Sequence, residues 1–169
     1  TFNFEKADRY IALGMANNLY TLGHTLVWHS QAPDYLNKVS DSATLVRYLE
    51  NHVKTLVTRY KGKIAAWDVV NEALNEDGSL RESVFLKFLG EDYIKRAFEL
   101  AEKADPEAQL IYNDYNLWKP EKRKGVVRLV KRLQDSGIKI DAVGLQGHWN
   151  LSEPSLVDIE QSIITFNEL

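Results

Sequence analysis

The sequence predicts an α/β domain in which a parallel β-sheet is covered by helices. Short apolar segments of strand length alternate with longer segments whose apolar residues recur at helical spacing. The strand segments are apolar on both faces, as in a sheet that is covered on both sides. The 169 residues suffice for one domain. This pattern alone leaves two architectures open, a doubly wound sheet and a part of a (β/α)8 barrel.

The alternation resolves into five helices and four strands. The predicted helices span residues 4–18, 40–60, 91–103, 120–135 and 155–169, and the predicted strands span residues 19–27, 64–70, 109–113 and 142–145. The second helix is well defined because the cap residues Ser40, Asp41 and Ser42 begin it and the apolar residues that follow share one face. Pro120 begins the fourth helix and Gly137 follows its end, which fits the preferences of helix termini.

Composition excludes several classes of function. The net charge is −3 and the pI is about 5.8, which argues against a nucleic-acid partner, and no basic block suggests a membrane surface. The chain has no cysteine, so disulfides and thiol chemistry are excluded. No glycine-rich phosphate loop follows a predicted strand, and the histidines lack metalloprotease spacing. We therefore expect no cofactor and no metal.

Polar and aromatic residues gather where each predicted strand ends. They are His24, Trp28, His29 and Gln31 after the first strand, Asn71 and Glu72 after the second, Asn113, Asp114 and Tyr115 after the third, and Gln146, His148 and Trp149 after the fourth. The carboxyl ends of parallel strands meet on one face, so these clusters predict a single site. Tryptophans, amides, histidines and carboxylates together suit sugar recognition, because sugar ring faces stack on aromatic rings and hydroxyls pair with planar polar groups.

Each cluster taken alone also has a structural interpretation. A single histidine after a strand is often a satisfied structural residue, and Trp28 or Trp149 alone is typical of a core. Asn71 and Glu72 could cap a helix, because Asn is a good N-cap and Glu suits a first turn. The convergence of all four clusters on one face favours a site over these separate explanations.

Four motifs follow one another along the chain. They are GHTLVWHSQAP (residues 23–33), WDVVNEA (67–73), YNDYN (112–116) and GLQGHWN (144–150). Their order and spacing resemble glycoside hydrolase family 10, the retaining endo-β-1,4-xylanases, whose fold is a (β/α)8 barrel. The resemblance implies that residues 1–169 form about half of such a barrel. It also implies a partial catalytic domain that lacks the first two and the last two barrel strands.

The resemblance implies hydrolysis of internal xylosidic bonds of xylan with retention of configuration. Glu72 matches the general acid/base, which protonates the glycosidic oxygen and later deprotonates the attacking water. The family carries its nucleophile in a Thr-Glu-Leu-Asp motif on the seventh strand, so we expect the nucleophile beyond the C-terminus of this chain. Glu168 is not expected to replace it, because an apolar stripe places Glu168 on a helix.

The same resemblance assigns the other site residues. Those expected to bind substrate are His24, Trp28, Gln31, Asn71, Gln146, His148 and Tyr115. Among them, Asn71 matches the residue that binds the sugar 2-hydroxyl. Strand alternation places Asp68 on the same face as Glu72, where we expect it to orient His24. His29 is expected to support the same group of residues from the first strand end.

The expected partners are xylan and xylo-oligosaccharides, together with the remaining barrel segments in the same or another chain. Polymeric xylan lies outside cells, so secretion is expected, although the first residues lack the pattern of a signal peptide. The alternative interpretation is an inactive xylanase fragment or remnant. Such a remnant would only bind xylo-oligosaccharides or associate through the open edges of its sheet.

Overall fold

The computed structural model describes residues 2–169, apart from the side chain of Asn37. Within this range lie α1 (Glu5–Ala16), β1 (Leu22–Trp28), α2 (Ser42–Arg59), β2 (Ala66–Asn71), α3 (Val84–Leu89), α4 (Asp92–Ala104), β3 (Gln109–Tyr115), α5 (Pro120–Asp135), β4 (Ala142–Gln146) and α6 (Leu156–Asn167). A 3-10 helix occupies Asp34–Lys38. Each of the nine elements predicted from the sequence is present, with small differences at its ends.

The predicted count of five helices is short by one, because the described chain has six α-helices. The additional helix is α3, which has only 6 residues and is too short to show a helical period. Ser83 begins it by accepting a hydrogen bond from the Leu86 amide at 3.0 Å. Gly90, with a φ of 62°, ends it. The 3-10 helix after Pro33 was also not predicted.

The four strands are all parallel and lie in the order β1-β2-β3-β4. Neighbours in the sheet are therefore also neighbours along the chain. Right-handed crossovers in such a sheet place every connecting helix on the same face. A doubly wound sheet requires a reversal of strand order, and the described strands have none. The sheet is thus a part of a (β/α)8 barrel.

The core lies between the sheet and its outer helices. The apolar stripe of α2 is almost fully buried, the stripe of α4 packs beside it, and α5 buries a stripe of its own. All 6 residues of β2 are buried, because this strand has a neighbour on each side and helices on one face. Burial of these apolar side chains supplies the main driving force for folding. It also fixes the strand ends that carry the polar clusters.

The two ends of the sheet differ from its centre. In the described part of the chain, β1 and β4 each pair with a strand on one side only. Apolar residues of the adjacent helices are exposed there, including Leu13 and Met15 of α1 and Leu156 and Val157 of α6. This distribution is consistent with a partial barrel. No helix among residues 2–169 is long and apolar enough to cross a bilayer.

The loop that follows β2 is fastened to α5 by two glycines. A Cβ atom on Gly125 would lie 2.6 Å from Gly78 Cα and 2.8 Å from the Gly78 carbonyl oxygen. Gly78 itself has a φ of 77°, a region that favours glycine. Arg128 of α5 also donates a hydrogen bond to the Gly78 carbonyl at 3.2 Å. The turn therefore lies directly on the helix backbone.

We predict that Gly125→Ala destabilises the protein, although alanine is the better helix former by about 1 kcal/mol. The new methyl group would collide with main-chain atoms of Gly78, which cannot rotate away. The expected loss in the free energy of unfolding is about 1–3 kcal/mol, measured by urea denaturation. Lys131→Ala, on the exposed face of the same helix, is the matched control and should change little. An increase in stability for Gly125→Ala would contradict this packing.

Candidate functional site

The carboxyl ends of the strands meet around Glu72, the residue that follows β2. Its carboxylate accepts hydrogen bonds from Trp28 Nε1 at 2.9 Å and from Gln146 Nε2 at 3.1 Å. Trp28 is the last residue of β1, and Gln146 is the last residue of β4. Each donor contacts a different oxygen, so the carboxylate is held in one orientation.

Asn71, the last residue of β2, lies beside Glu72 and is only 2% exposed. Its amide oxygen accepts hydrogen bonds from Asn113 Nδ2 at 2.9 Å and from Gln146 Nε2 at 3.1 Å. With the amide turned over, the oxygen accepts from Trp28 Nε1 at 3.2 Å and the nitrogen donates to the Asn113 carbonyl at 3.2 Å. In both orientations Asn71 connects β2 to two other strands. Asn113 belongs to the third strand-end cluster predicted from the sequence, but no role was assigned to it.

Asp68 and His24 form a pair at the inner face of the first two strands. His24 Nδ1 lies 2.8 Å from Asp68 Oδ2, and the side-chain exposures are 47% for His24 and 8% for Asp68. Burial raises the pKa of the Asp68 carboxyl, and the hydrogen bond with His24 opposes that rise. The buried carboxylate fixes one ring nitrogen, so the other edge of the imidazole can meet a ligand.

Histidine and glutamine side chains lie near the edge of the cluster around Glu72. His148 Nε2 lies 3.1 Å from Gln146 Oε1, and the His148 side chain is exposed. Partial desolvation, followed by the positive charge of Arg81, lowers the pKa of His29, while the Glu72 carboxylate opposes this shift. Gln31 lines a crevice together with Trp28 and residues of α2. The structure thus places the two histidines at the cluster, and the predicted contact of Gln31 with substrate stays a prediction.

Tyr115, the last residue of β3, is engaged by two cations. Its hydroxyl accepts a hydrogen bond from Arg81 Nη2 at 2.8 Å. Lys122 Nζ lies 3.7 Å from the centroid of its ring. The predicted contact of Tyr115 with sugar stays a prediction, because the structure describes only these protein partners.

A buried ion pair lies behind this tyrosine. Lys122 Nζ is 2.9 Å from Asp114 Oδ1, and both side chains have 0% exposure. The Tyr112 hydroxyl donates a hydrogen bond to the other Asp114 oxygen at 2.6 Å. Burial raises the pKa of the Asp114 carboxyl, and the Lys122 charge opposes this. The sequence carries a signal for the pair, because Lys122 falls on the apolar stripe of α5 and Asp114 ends an apolar strand.

The polar side chains around Glu72 contact one another. Among residues 2–169, no group of three or more histidine, aspartate and glutamate side chains is placed to hold a metal ion. The polar atoms around Glu72 are instead satisfied by hydrogen bonds to other side chains. The chemistry available here is that of a carboxylate, an amide and aromatic surfaces.

The family profile described as "Glycosyl hydrolase family 10" matches residues 1–169. The chain belongs to glycosyl hydrolase family 10. It is 42% identical to endo-1,4-beta-xylanase B of Paenibacillus barcinonensis over 99% of this chain and 53% of that relative. It is 45% identical to an endo-1,4-beta-xylanase of Geobacillus stearothermophilus over 87% of this chain and 47% of that relative.

Solved structures of family 10 share the same backbone. An endoxylanase from a sugarcane soil metagenome superposes with a TM-score of 0.96 at 40% identity, over 99% of this chain and 51% of that chain. A xylanase of Thermotoga petrophila, solved with xylobiose, gives 0.95 at 36% identity, over 99% and 52%. This chain therefore spans about half the length of the relatives it matches. The predicted family and the predicted half of a (β/α)8 barrel are confirmed.

We predict that Lys122→Met destabilises the fold by about 3–5 kcal/mol at neutral pH, because it leaves the Asp114 carboxylate buried without its cation. Without Lys122, burial raises the pKa of Asp114 further, so the native state binds a proton more readily than the unfolded state. The loss should therefore be small near pH 4 and should grow as the pH rises towards 7. Denaturation in urea at several pH values measures this dependence.

The double variant Lys122→Met/Asp114→Asn serves as the matched control. It removes the uncompensated charge and keeps a polar group beside Tyr112. It should be more stable than Lys122→Met alone at pH 7. Equal stability of the two variants at every pH would contradict an unpaired Asp114 charge as the cause.

Proposed function

We propose that the protein carrying this chain is a retaining endo-β-1,4-xylanase with Glu72 as its general acid/base. The observation that carries the proposal is the Glu72 carboxylate, held between Trp28 and Gln146 at the carboxyl end of the sheet. Active sites of (β/α)8 enzymes lie at this face. The names of the relatives favour an active xylanase over a remnant that only binds sugar.

In the first step of the proposed reaction, Glu72 gives its proton to the glycosidic oxygen as the bond to the sugar breaks. In the second step the ionised Glu72 takes a proton from the water that attacks the glycosyl-enzyme. Both steps require the carboxyl group to stay within hydrogen-bond reach of the same oxygen position. The donors on its two oxygens, Trp28 and Gln146, provide that fixed placement.

Retention also requires a second carboxylate about 5–5.5 Å from the first. We place β1–β4 as the third to sixth barrel strands and assign the nucleophile to the part of the family that this chain does not cover. Glu168 is a poor candidate because it follows α6, and its neighbour Leu169 accepts a hydrogen bond from Gln134 near the end of α5. Helices that return along a parallel sheet end at the face opposite to the strand ends.

Substrate binding follows from what remains accessible around Glu72. Asn71 is proposed to bind the 2-hydroxyl of the sugar that reacts, since its amide lies beside the acid/base. His24 and Trp28 form an edge-to-face aromatic pair with ring centroids 6.1 Å apart, suited to an adjoining sugar. Xylan and its oligosaccharides are the proposed substrates, and secretion is proposed because xylan is an extracellular polymer.

Glu72→Gln should reduce the hydrolysis of xylan by roughly 10²- to 10⁴-fold, because the amide can neither donate the proton nor accept one from water. Binding of xylo-oligosaccharides should be retained, since the side-chain shape is unchanged and the remaining oxygen can still accept from Trp28. Release of reducing sugar measures the first effect, and calorimetric titration measures the second.

Glu168→Gln is the matched control for this substitution. It removes an exposed carboxylate at the end of α6 and should leave hydrolysis at the level of the unmodified protein. Turnover of xylan by the Glu72→Gln variant at the unmodified rate would overturn the proposal.

A further inference from the structure

Arg81 lies in the loop that follows β2, outside the four motifs. Its side chain donates hydrogen bonds to the Glu72 carbonyl at 3.0 Å and to the Leu74 carbonyl at 2.9 Å. Its backbone amide donates to the Ala73 carbonyl at 2.7 Å. One arginine therefore binds the carbonyl oxygens of three consecutive residues, beginning with the proposed acid/base.

The backbone of Glu72 explains why such a clamp is needed. Glu72 has a φ of 56°, in the left-handed region that non-glycine residues seldom adopt. Residues of this kind persist only where the surrounding structure fixes them, and they cluster at functional sites. The Glu72 amide donates to the Asn113 carbonyl at 2.9 Å, and Arg81 holds the carbonyl at the other end of the residue. The direction of the Glu72 side chain depends on both anchors.

The Arg81 guanidinium also contacts Tyr115, on the side away from the Glu72 carbonyl. Arg81 Nη2 donates to the Tyr115 hydroxyl at 2.8 Å, and the Tyr115 ring lies over Lys122. Lys122 is locked by the fully buried Asp114. A continuous line of contacts therefore runs from α5 through the end of β3 to the backbone of the proposed acid/base.

We propose that Arg81 is a positioning residue for Glu72 and that the Tyr115 hydroxyl holds Arg81 in place. The inference rests on the proposed function of Glu72 as acid/base. A planar guanidinium can meet two carbonyls and a hydroxyl at once, whereas the single ammonium of lysine cannot reproduce this fork. Arg81→Lys keeps the charge and removes the geometry, so it isolates the positioning effect.

Aryl β-xylobiosides with different leaving groups test the proposal. A poor leaving group such as phenolate needs a proton from Glu72, whereas 2,4-dinitrophenolate leaves without one. Arg81→Lys should lower kcat/KM for the phenyl substrate by roughly 10- to 100-fold, because small misplacements of a catalytic group are costly. For the dinitrophenyl substrate, Arg81→Lys should leave kcat/KM, which reports the first bond-breaking step, almost unchanged. Tyr115→Phe should shift the same ratio in the same direction by a smaller factor.

Arg128→Lys is the matched control for both variants. Arg128 binds the same loop at the Gly78 carbonyl but does not contact Glu72. It should leave the ratio of the two kcat/KM values unchanged. A purely structural role for Arg81 would lower both values by the same factor, and that result would overturn the proposal.

The Trp28 indole provides a readout that does not require turnover. Its N–H donates to the Glu72 carboxylate at 2.9 Å, so its NMR resonance reports the position of that group. Arg81→Lys should shift this resonance, and Arg128→Lys should not; Trp28→Phe assigns the signal. An unshifted resonance in Arg81→Lys would overturn the inference. Absence of xylan hydrolysis in the unmodified protein would instead overturn the proposed function, and the indole shift would still decide the role of Arg81.

Discussion

The site depends on the register of the parallel strands. Trp28 pairs with Asn71 across β1 and β2, and Asn71 pairs with Asn113 across β2 and β3, so the three side chains form one row. A shift of one residue in either pairing would turn alternate side chains to the other face of the sheet. The buried helix stripes oppose such a shift, because it would move the apolar residues of the strands away from the helices. Packing on the outer face therefore sets the geometry on the inner face.

The inner face also concentrates groups that a core normally avoids. Asp68 and Asn71 are buried there, Glu72 has a left-handed backbone, and Asp114 is buried on the helix side of β3. Asp68, Asn71 and Asp114 each have a partner on a neighbouring element, as they must if burial is not to be prohibitively unfavourable. The partners come from different strands and from α5. Local strain at this face is thus compatible with a stable fold because the layer between the sheet and the helices is mostly apolar.

The long helices and strands and the motif residues could be predicted from the sequence for clear physical reasons. The helix α2 begins at one of its three predicted cap residues, Asp41, whose side chain accepts from the Thr44 amide at 2.7 Å, and it has a full apolar stripe. Strand ends in a parallel sheet meet, so Trp28, Asn71 and Gln146 could be assigned to one site before their contacts were known. Short α3 could not be found, because 6 residues carry too little periodicity.

The residues whose roles could not be predicted from the sequence act through tertiary contacts. Arg81 belongs to a polar loop, and nothing in its neighbours indicates that it returns to bind carbonyls at the end of β2. Lys122 was interpretable in principle, since a charge on an apolar helix stripe requires a buried counter-charge, and Asp114 supplies it. Gln31, assigned by its motif, lines a crevice with Trp28, and its predicted contact with substrate stays a prediction.

The contact between Gly78 and Gly125 has a consequence for sequence variation in this part of the family. The atoms that crowd each glycine belong to main chain, so no smaller neighbouring side chain can compensate for a larger residue at either position. Two positions that are far apart in the chain are therefore restricted together. The exposed residues of the loop can vary, but the distance between the loop and the helix must stay the same.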